Sequence, residues 1–94
     1  MMPAGNDKWS MIHMLSQSYA LDIVDALNKK PLRFSDLKNY SRNETTRSQR
    51  LKELEGKGLI TTISLKMGRR YFVHYSLTSK GRSVLQKAKE LEGI

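Results

Sequence analysis

From about Trp9 to Leu27, apolar residues recur at three- or four-residue intervals: Ile12, Leu15, Tyr19, Ile23 and Leu27. That period predicts an amphipathic helix. Asn28, Lys29, Lys30 and Pro31 should end it, because cations suit the negative end of a helix and proline cannot continue its hydrogen-bond ladder. Ser35 is a candidate N-cap for a short helix through Tyr40 that buries Leu37 and Tyr40. A turn around Ser41–Asn43 leads to the next helix, which runs to about Lys57. Two starts fit it: Ser41 with Glu44 makes a capping box, and Asn43 is itself a good cap. Leu51 and Leu54 share one face of this helix, and Gly58 can take the left-handed conformation that closes it.

The period then changes. Leu59–Leu65 and Tyr71–Leu77 are rich in Ile, Thr, Tyr, Phe and Val, which favours strands. Leu59, Ile63 and Leu65 are expected on one face, opposite Val73, Tyr75 and Leu77. Between the runs sits Lys66-Met67-Gly68-Arg69-Arg70, a cationic hairpin tip. Thr78 should cap a last helix carrying Val84, Leu85, Ala88 and Leu91. Gly81 lies one turn into it at a cost of about 1 kcal/mol in helix propensity, so close packing against a neighbour is expected there.

The order is α-α-α-β-β-α, a mainly α, α+β fold with a β-hairpin wing. Residues 1–7 carry Pro, Gly and Asn without periodicity and read as a flexible arm; residues 8–94 read as one domain. A helix followed by a cationic hairpin in this order is the arrangement of a winged helix-turn-helix, and it points to double-stranded DNA.

The charge strengthens that reading through its placement. The 94 residues carry 17 Lys and Arg against nine acids, a net charge of +8. Residues 1–28 are net −2, with one cation and three acids. Residues 29–57 hold nine cations and four acids, and residues 58–77 hold three cations and no acid. Positive charge therefore gathers in the second and third helices and the hairpin, where a phosphate backbone would lie.

Within the third helix, Leu51 and Leu54 fix the buried side. Thr45, Thr46 and Gln49 then face outward with Arg50 at the edge, near the helix N-terminus from which recognition helices reach base edges. Lys66, Arg69 and Arg70 at the wing tip are candidates for phosphate or minor-groove contact. Lys29, Lys30, Arg33 and Lys38 border the second helix and are candidates for the DNA backbone.

Four segments occur in order at natural spacing: Arg33-Phe34-Ser35-Asp36-Leu37, Arg50-Leu51-Lys52-Glu53-Leu54-Glu55, Gly58-Leu59-Ile60 and Tyr75-Ser76-Leu77-Thr78-Ser79-Lys80-Gly81-Arg82. Over about residues 18–91 the chain resembles winged-helix transcriptional regulators of the HxlR type, with MarR- and ArsR-type regulators as wider relatives. The resemblance implies a dimeric DNA-binding regulator whose helix around residues 43–56 enters the major groove while the wing at 66–70 rests on the flanking backbone. Two departures stand out. HxlR-type proteins usually carry a cysteine near the start of the first helix, often tied to redox or aldehyde sensing, and this chain has no cysteine. Position 47, usually apolar in such helices, is Arg47; it is counted here among the recognition-helix candidates, its stem covering the core edge while the guanidinium reaches out, unless the helix is rotated from the family norm.

Trp9-Ser10-Met11-Ile12-His13-Met14-Leu15 is too apolar for one stripe, so the first helix wants cover on a second side. A homodimer built from Trp9, Ile12 and Leu15 with Val84, Leu85, Ala88 and Leu91 would supply it. Nothing resembles a Cys-His or Ser-His-Asp constellation, a glycine-rich phosphate loop or a metal cluster, so an enzyme, a cofactor and a metal are not expected. No apolar stretch approaches the roughly 20 residues of a membrane span, and no secretion signal opens the chain, so a cytoplasmic location is expected. The competing readings are a winged-helix protein-interaction module of a larger assembly and a sequence-nonspecific architectural DNA protein. The sequence names no operator and no effector.

Overall fold

The computed structural model describes residues 8–94, so the arm expected at residues 1–7 lies outside the described residues. Two helices, α1 (Ser10–Leu15) and α2 (Ala20–Lys29), replace the single helix expected from Trp9 to Leu27. The chain breaks between them, and Tyr19 takes a left-handed φ of 68°, uncommon for a residue with a Cβ. Local chemistry accounts for the break. The Ser16 hydroxyl donates to the His13 carbonyl at 2.7 Å, the competition that makes serine a weak helix-interior residue. The Ser18 carbonyl, which an unbroken helix would give to an N–H four residues on, accepts instead from Arg50 Nε at 2.9 Å. The expected stripe is therefore divided. Met14 enters the core, while Ile12 and Tyr19 stay 57% and 48% exposed.

α2 is the centre of the molecule and buries Ala20, Ile23, Val24, Ala26 and Leu27. After it, Lys30 is extended, the conformation favoured before proline. This sets Leu32 beside the hairpin, where it exchanges backbone hydrogen bonds with Tyr75: Leu32 N–H to Tyr75 O at 3.1 Å and Tyr75 N–H to Leu32 O at 2.7 Å. The expected second helix is a single 3-10 turn, Asp36–Asn39, in which Ser35 makes no cap bond. Leu37 is fully buried as expected, whereas Tyr40 is 38% exposed.

α3 (Glu44–Gly56) starts at the second of the two candidate caps: Asn43 Oδ1 accepts from Thr46 N–H at 2.9 Å. Its end is a Schellman closure. Gly58 N–H donates to Glu55 O at 2.9 Å and Leu59 N–H to Leu54 O at 3.0 Å, with Gly58 at φ 76°. Leu54 and Leu59, brought together by that closure, are both fully buried.

β1 (Ile60–Met67) and β2 (Arg70–Leu77) form an antiparallel hairpin around a two-residue turn led by Gly68 at φ 67°. The register differs by one residue from the expected facing. Ile63 pairs with His74 and Leu65 with Phe72, while Val73, Tyr75 and Leu77 lie opposite Ser64, Thr62 and Ile60. With a side-chain period of two, the core-facing residues are therefore Ile60, Tyr75 and Leu77, and Val73 is 58% exposed.

Thr78 Oγ1 accepts from Gly81 N–H at 3.0 Å and caps α4 (Ser79–Glu92), as expected. Gly81 is buried, and a Cβ there would collide with the Leu59 carbonyl oxygen and lie 2.6 Å from Leu77 Cδ1. α4 packs on α2 and β2. Replacing Gly81 with Ala should destabilise the fold by about 1–3 kcal/mol, the usual cost of overpacking, even though alanine is the better helix former. Urea unfolding measures this; a neutral or stabilising effect would contradict the packing described.

Candidate nucleic-acid interface

Three residues of α3 face inward: Arg47, Leu51 and Leu54, at the i, i+4, i+7 spacing of one helical stripe. The opposite side is polar and exposed, with Thr45, Ser48, Gln49 and Lys52 in sequence along it. Thr45 and Gln49 thus lie where the sequence placed them. Thr46 is half-buried, with its N–H taken by the Asn43 cap. Ser48 and Lys52 belong to the same face and were missed. Their signal is their spacing, three and seven residues beyond Thr45, once Arg47 is counted with the leucines. Gln49 Nε2 donates to Glu53 at 3.0 Å, an exposed i,i+4 contact worth only a few tenths of a kcal/mol and readily exchanged for another partner.

Arg47 and Arg50 do not occupy this face. Arg47 is 4% exposed. Its guanidinium donates to the carbonyls of Ser41 at 2.8 Å, Arg42 at 2.9 Å and Phe34 at 3.4 Å, and lies 4.5 Å from the Phe34 ring centroid. Neither expected arrangement holds, since the whole side chain is folded inward rather than reaching out past the core edge, and α3 presents the same leucines as anticipated. Arg50 is drawn toward α1 and α2 by the Ser18 carbonyl and is paired with Glu53 at 2.8 Å. A neighbour, Lys57, reaches Ser10 Oγ at 2.7 Å, so both ends of the α1 segment are tied to α3.

Around the helix-turn-helix, Lys29, Lys30 and Lys38 are exposed. Arg33 is engaged: it pairs with Asp36 at 3.5 Å and lies over Phe72 at 5.4 Å, an aromatic ring that also carries Arg70 at 5.7 Å. The Arg33 backbone N–H, donating to Asp36 Oδ2 at 3.0 Å, together with the Arg33 and His74 charges, holds the Asp36 carboxyl below its ordinary pKa. Arg42, which no sequence motif singles out, is exposed on the turn before α3. With Lys38, Phe34 and Glu44 it borders an open cleft of about 700 Å³. Lys66, Arg69 and Arg70 are all exposed at the wing tip, and among the described residues none of them is ion-paired.

The terminal helices divide the expected dimer residues. Trp9, Ile12 and Leu91 are 59%, 57% and 84% exposed. Leu15 and Val84 are half-buried against the chain's own core, and Ala88 is half-buried. Leu85, expected at the interface, is 5% exposed and belongs to that core, because α4 must bury one stripe against α2 to be held at all. His13 is exposed, and His74 is buried with Nδ1 2.9 Å from the Phe72 carbonyl. No helix among the described residues is long and apolar enough to cross a membrane.

The HxlR-like helix-turn-helix family model matches residues 7–93. No curated protein sequence matches the chain. Among solved structures, the reduced form of the transcriptional regulator YodB from B. subtilis superposes with a TM-score of 0.78 at 24% identity, covering 99% of this chain and 90% of that one. The transcriptional regulator BldR from Sulfolobus solfataricus gives 0.71 at 29%, covering 90% and 60%. A PadR family transcription regulator from hypervirulent Clostridium difficile R20291 gives 0.68 at 25%, covering 77% and 83%. The likeness to YodB supports the winged-helix fold, and the match over residues 7–93 decides the family: the chain belongs to the HxlR-like helix-turn-helix regulators.

Proposed function

We propose that this protein is a DNA-binding transcriptional regulator that acts as a homodimer, with α3 in the major groove and the wing on the flanking backbone or minor groove. The observation that carries the reading is the wholly polar outer side of α3 in a chain whose wing-tip cations are exposed and without an ion pair among the described residues. Thr45, Ser48, Gln49 and Lys52 would meet base edges, with Thr46 and Glu44 at the margin. Lys66, Arg69 and Arg70, with Lys29, Lys30, Lys38 and Arg42, would neutralise phosphate, which supplies affinity without sequence information. Arg33, Arg47 and Arg50 would contribute through the protein's own structure.

The dimer reading rests on exposed Ile12 on α1 and Leu91 on α4, two helices that both pack on α2. Large apolar side chains left in water favour an apolar partner. A second copy also suits the duplex, because two reading helices about 34 Å apart meet successive major grooves.

Three outcomes are expected. Affinity for duplex DNA should fall with salt on a log–log slope of about −5 to −9, the value for roughly 6–10 phosphate contacts per dimer; no binding at low salt would favour a protein-interaction module instead. Replacing Arg69 and Arg70 with Ala should weaken selected and random duplexes alike and flatten that slope by about one per lost contact, whereas Gln49→Ala or Ser48→Ala should cost roughly 1–3 kcal/mol on the selected site and less on random DNA. Equal losses on both DNAs from the α3 variants would mean an architectural binder. Ile12→Asp and Leu91→Asp should give monomers in sedimentation and lose about 100-fold or more in binding to a two-fold site, since tethering two reading heads gains that much. Wild-type monomers at micromolar concentration, or variants that remain dimeric, would contradict the dimer.

A further inference from the structure

We propose that Arg47 is a positioning residue for DNA reading: its guanidinium, folded away from the DNA side, locks the turn that aims α3. This deepens the DNA reading above and rests on it. Three consecutive carbonyls of the turn are held by this one residue. Ser41 O takes Nε at 2.8 Å, Arg42 O takes Nη2 at 2.9 Å, and Asn43 O takes the backbone N–H of Arg47 at 2.9 Å. Nη1 reaches across to the Phe34 carbonyl at 3.4 Å, two residues before the 3-10 turn begins, and the cationic plane sits over the Phe34 ring. The same side chain therefore joins the entrance of the short helical turn to its exit.

The charge has no carboxylate partner among the described residues; carbonyl dipoles and the ring face surround it instead. That arrangement needs the planar, multi-donor fork of arginine. Lysine presents its donors from a single point rather than along a planar fork and so does not span the Ser41, Arg42 and Phe34 carbonyls together, and methionine fills the volume without a donor. The side chains suspended from the locked turn, Arg42, Glu44 and Thr45, are exposed at the reading end of α3. Freeing the turn would let all of them shift together.

Arg47→Lys and Arg47→Met test this, each confirmed folded by circular dichroism. In the free proteins, amide hydrogen exchange over residues 41–47 should quicken by about tenfold or more while α2 and the hairpin keep wild-type protection. In selection from a random DNA pool, both variants should prefer the wild-type bases with sharpness lost across the whole half-site, and bind random duplex within about twofold of wild type. Relaxation at a single base pair would overturn the proposal by making Arg47 a base contact. Unchanged exchange and unchanged selection would overturn it by making the residue filler. A wild type that binds no duplex, with quickened exchange in the variants, would overturn the DNA reading itself and the positioning role with it, leaving Arg47 as a lock on the turn alone.

Discussion

The Leu59 carbonyl oxygen receives the Thr78 N–H at 3.0 Å and the Thr78 hydroxyl at 3.0 Å, and Gly81 lies so close to it that no side chain fits between. The reading helix and the wing are both attached there. Leu59 is also the residue whose N–H closes α3 onto Leu54, so the last turn of the reading helix, the residue before β1 and the first turn of α4 share one contact. The single Thr78 hydroxyl proton is shared with the Gly58 carbonyl, at 2.7 Å. A winged helix must hold its wing at a fixed angle to its reading helix. Here that angle is set by backbone hydrogen bonds across a site where a single methyl group would intrude, in an interior that cannot deform cheaply.

The cations divide between two roles that sequence alone presents as one. Arg33, Arg47, Arg50 and Lys57 sit in the most basic stretch, yet each is bound to a partner within the fold: Asp36, the carbonyls of Phe34, Ser41 and Arg42, Ser18 and Ser10. Their charge still adds to the field that attracts a polyanion, while their donors set geometry. Other cations stay exposed on the rim, at Lys29, Lys30, Lys38, Arg42, Lys52 and the wing tip. Attraction and alignment are thus supplied by different residues of the same type.

The junction was legible because its chemistry is local. Gly58 and Thr78 announce a helix end and a helix start, and Gly81 is costly unless packing demands it, so the elements and their order followed directly. What escaped depended on contacts between distant residues. The break at residues 16–19 is held by Arg50, 32 positions away, and helical periodicity continues through it without a mark. The strand register turned on one residue: a run such as Thr61-Thr62-Ile63-Ser64-Leu65 offers apolar groups to the wrong face, and only Ile60 and Leu77 opposite each other show which face is buried. For Arg47 the charge alone suggests a guanidinium that reaches out, whereas it is folded inward. Its spacing with Leu51 and Leu54 already put it on the buried stripe, and counting it there would have brought Ser48 and Lys52 onto the outer face in place of Arg47 and Arg50.

Hydroxyl-radical footprinting of the protein on a selected duplex tests the account most directly, because it reports where along the helix the backbone is covered. Two protected patches per strand, centred about one helical turn apart on the same side of the duplex and flanked by minor-groove protection where the wings lie, are predicted. Uniform protection along the duplex, or a single patch with no flanking cover, would contradict a dimer that reads with α3 and braces with its wing.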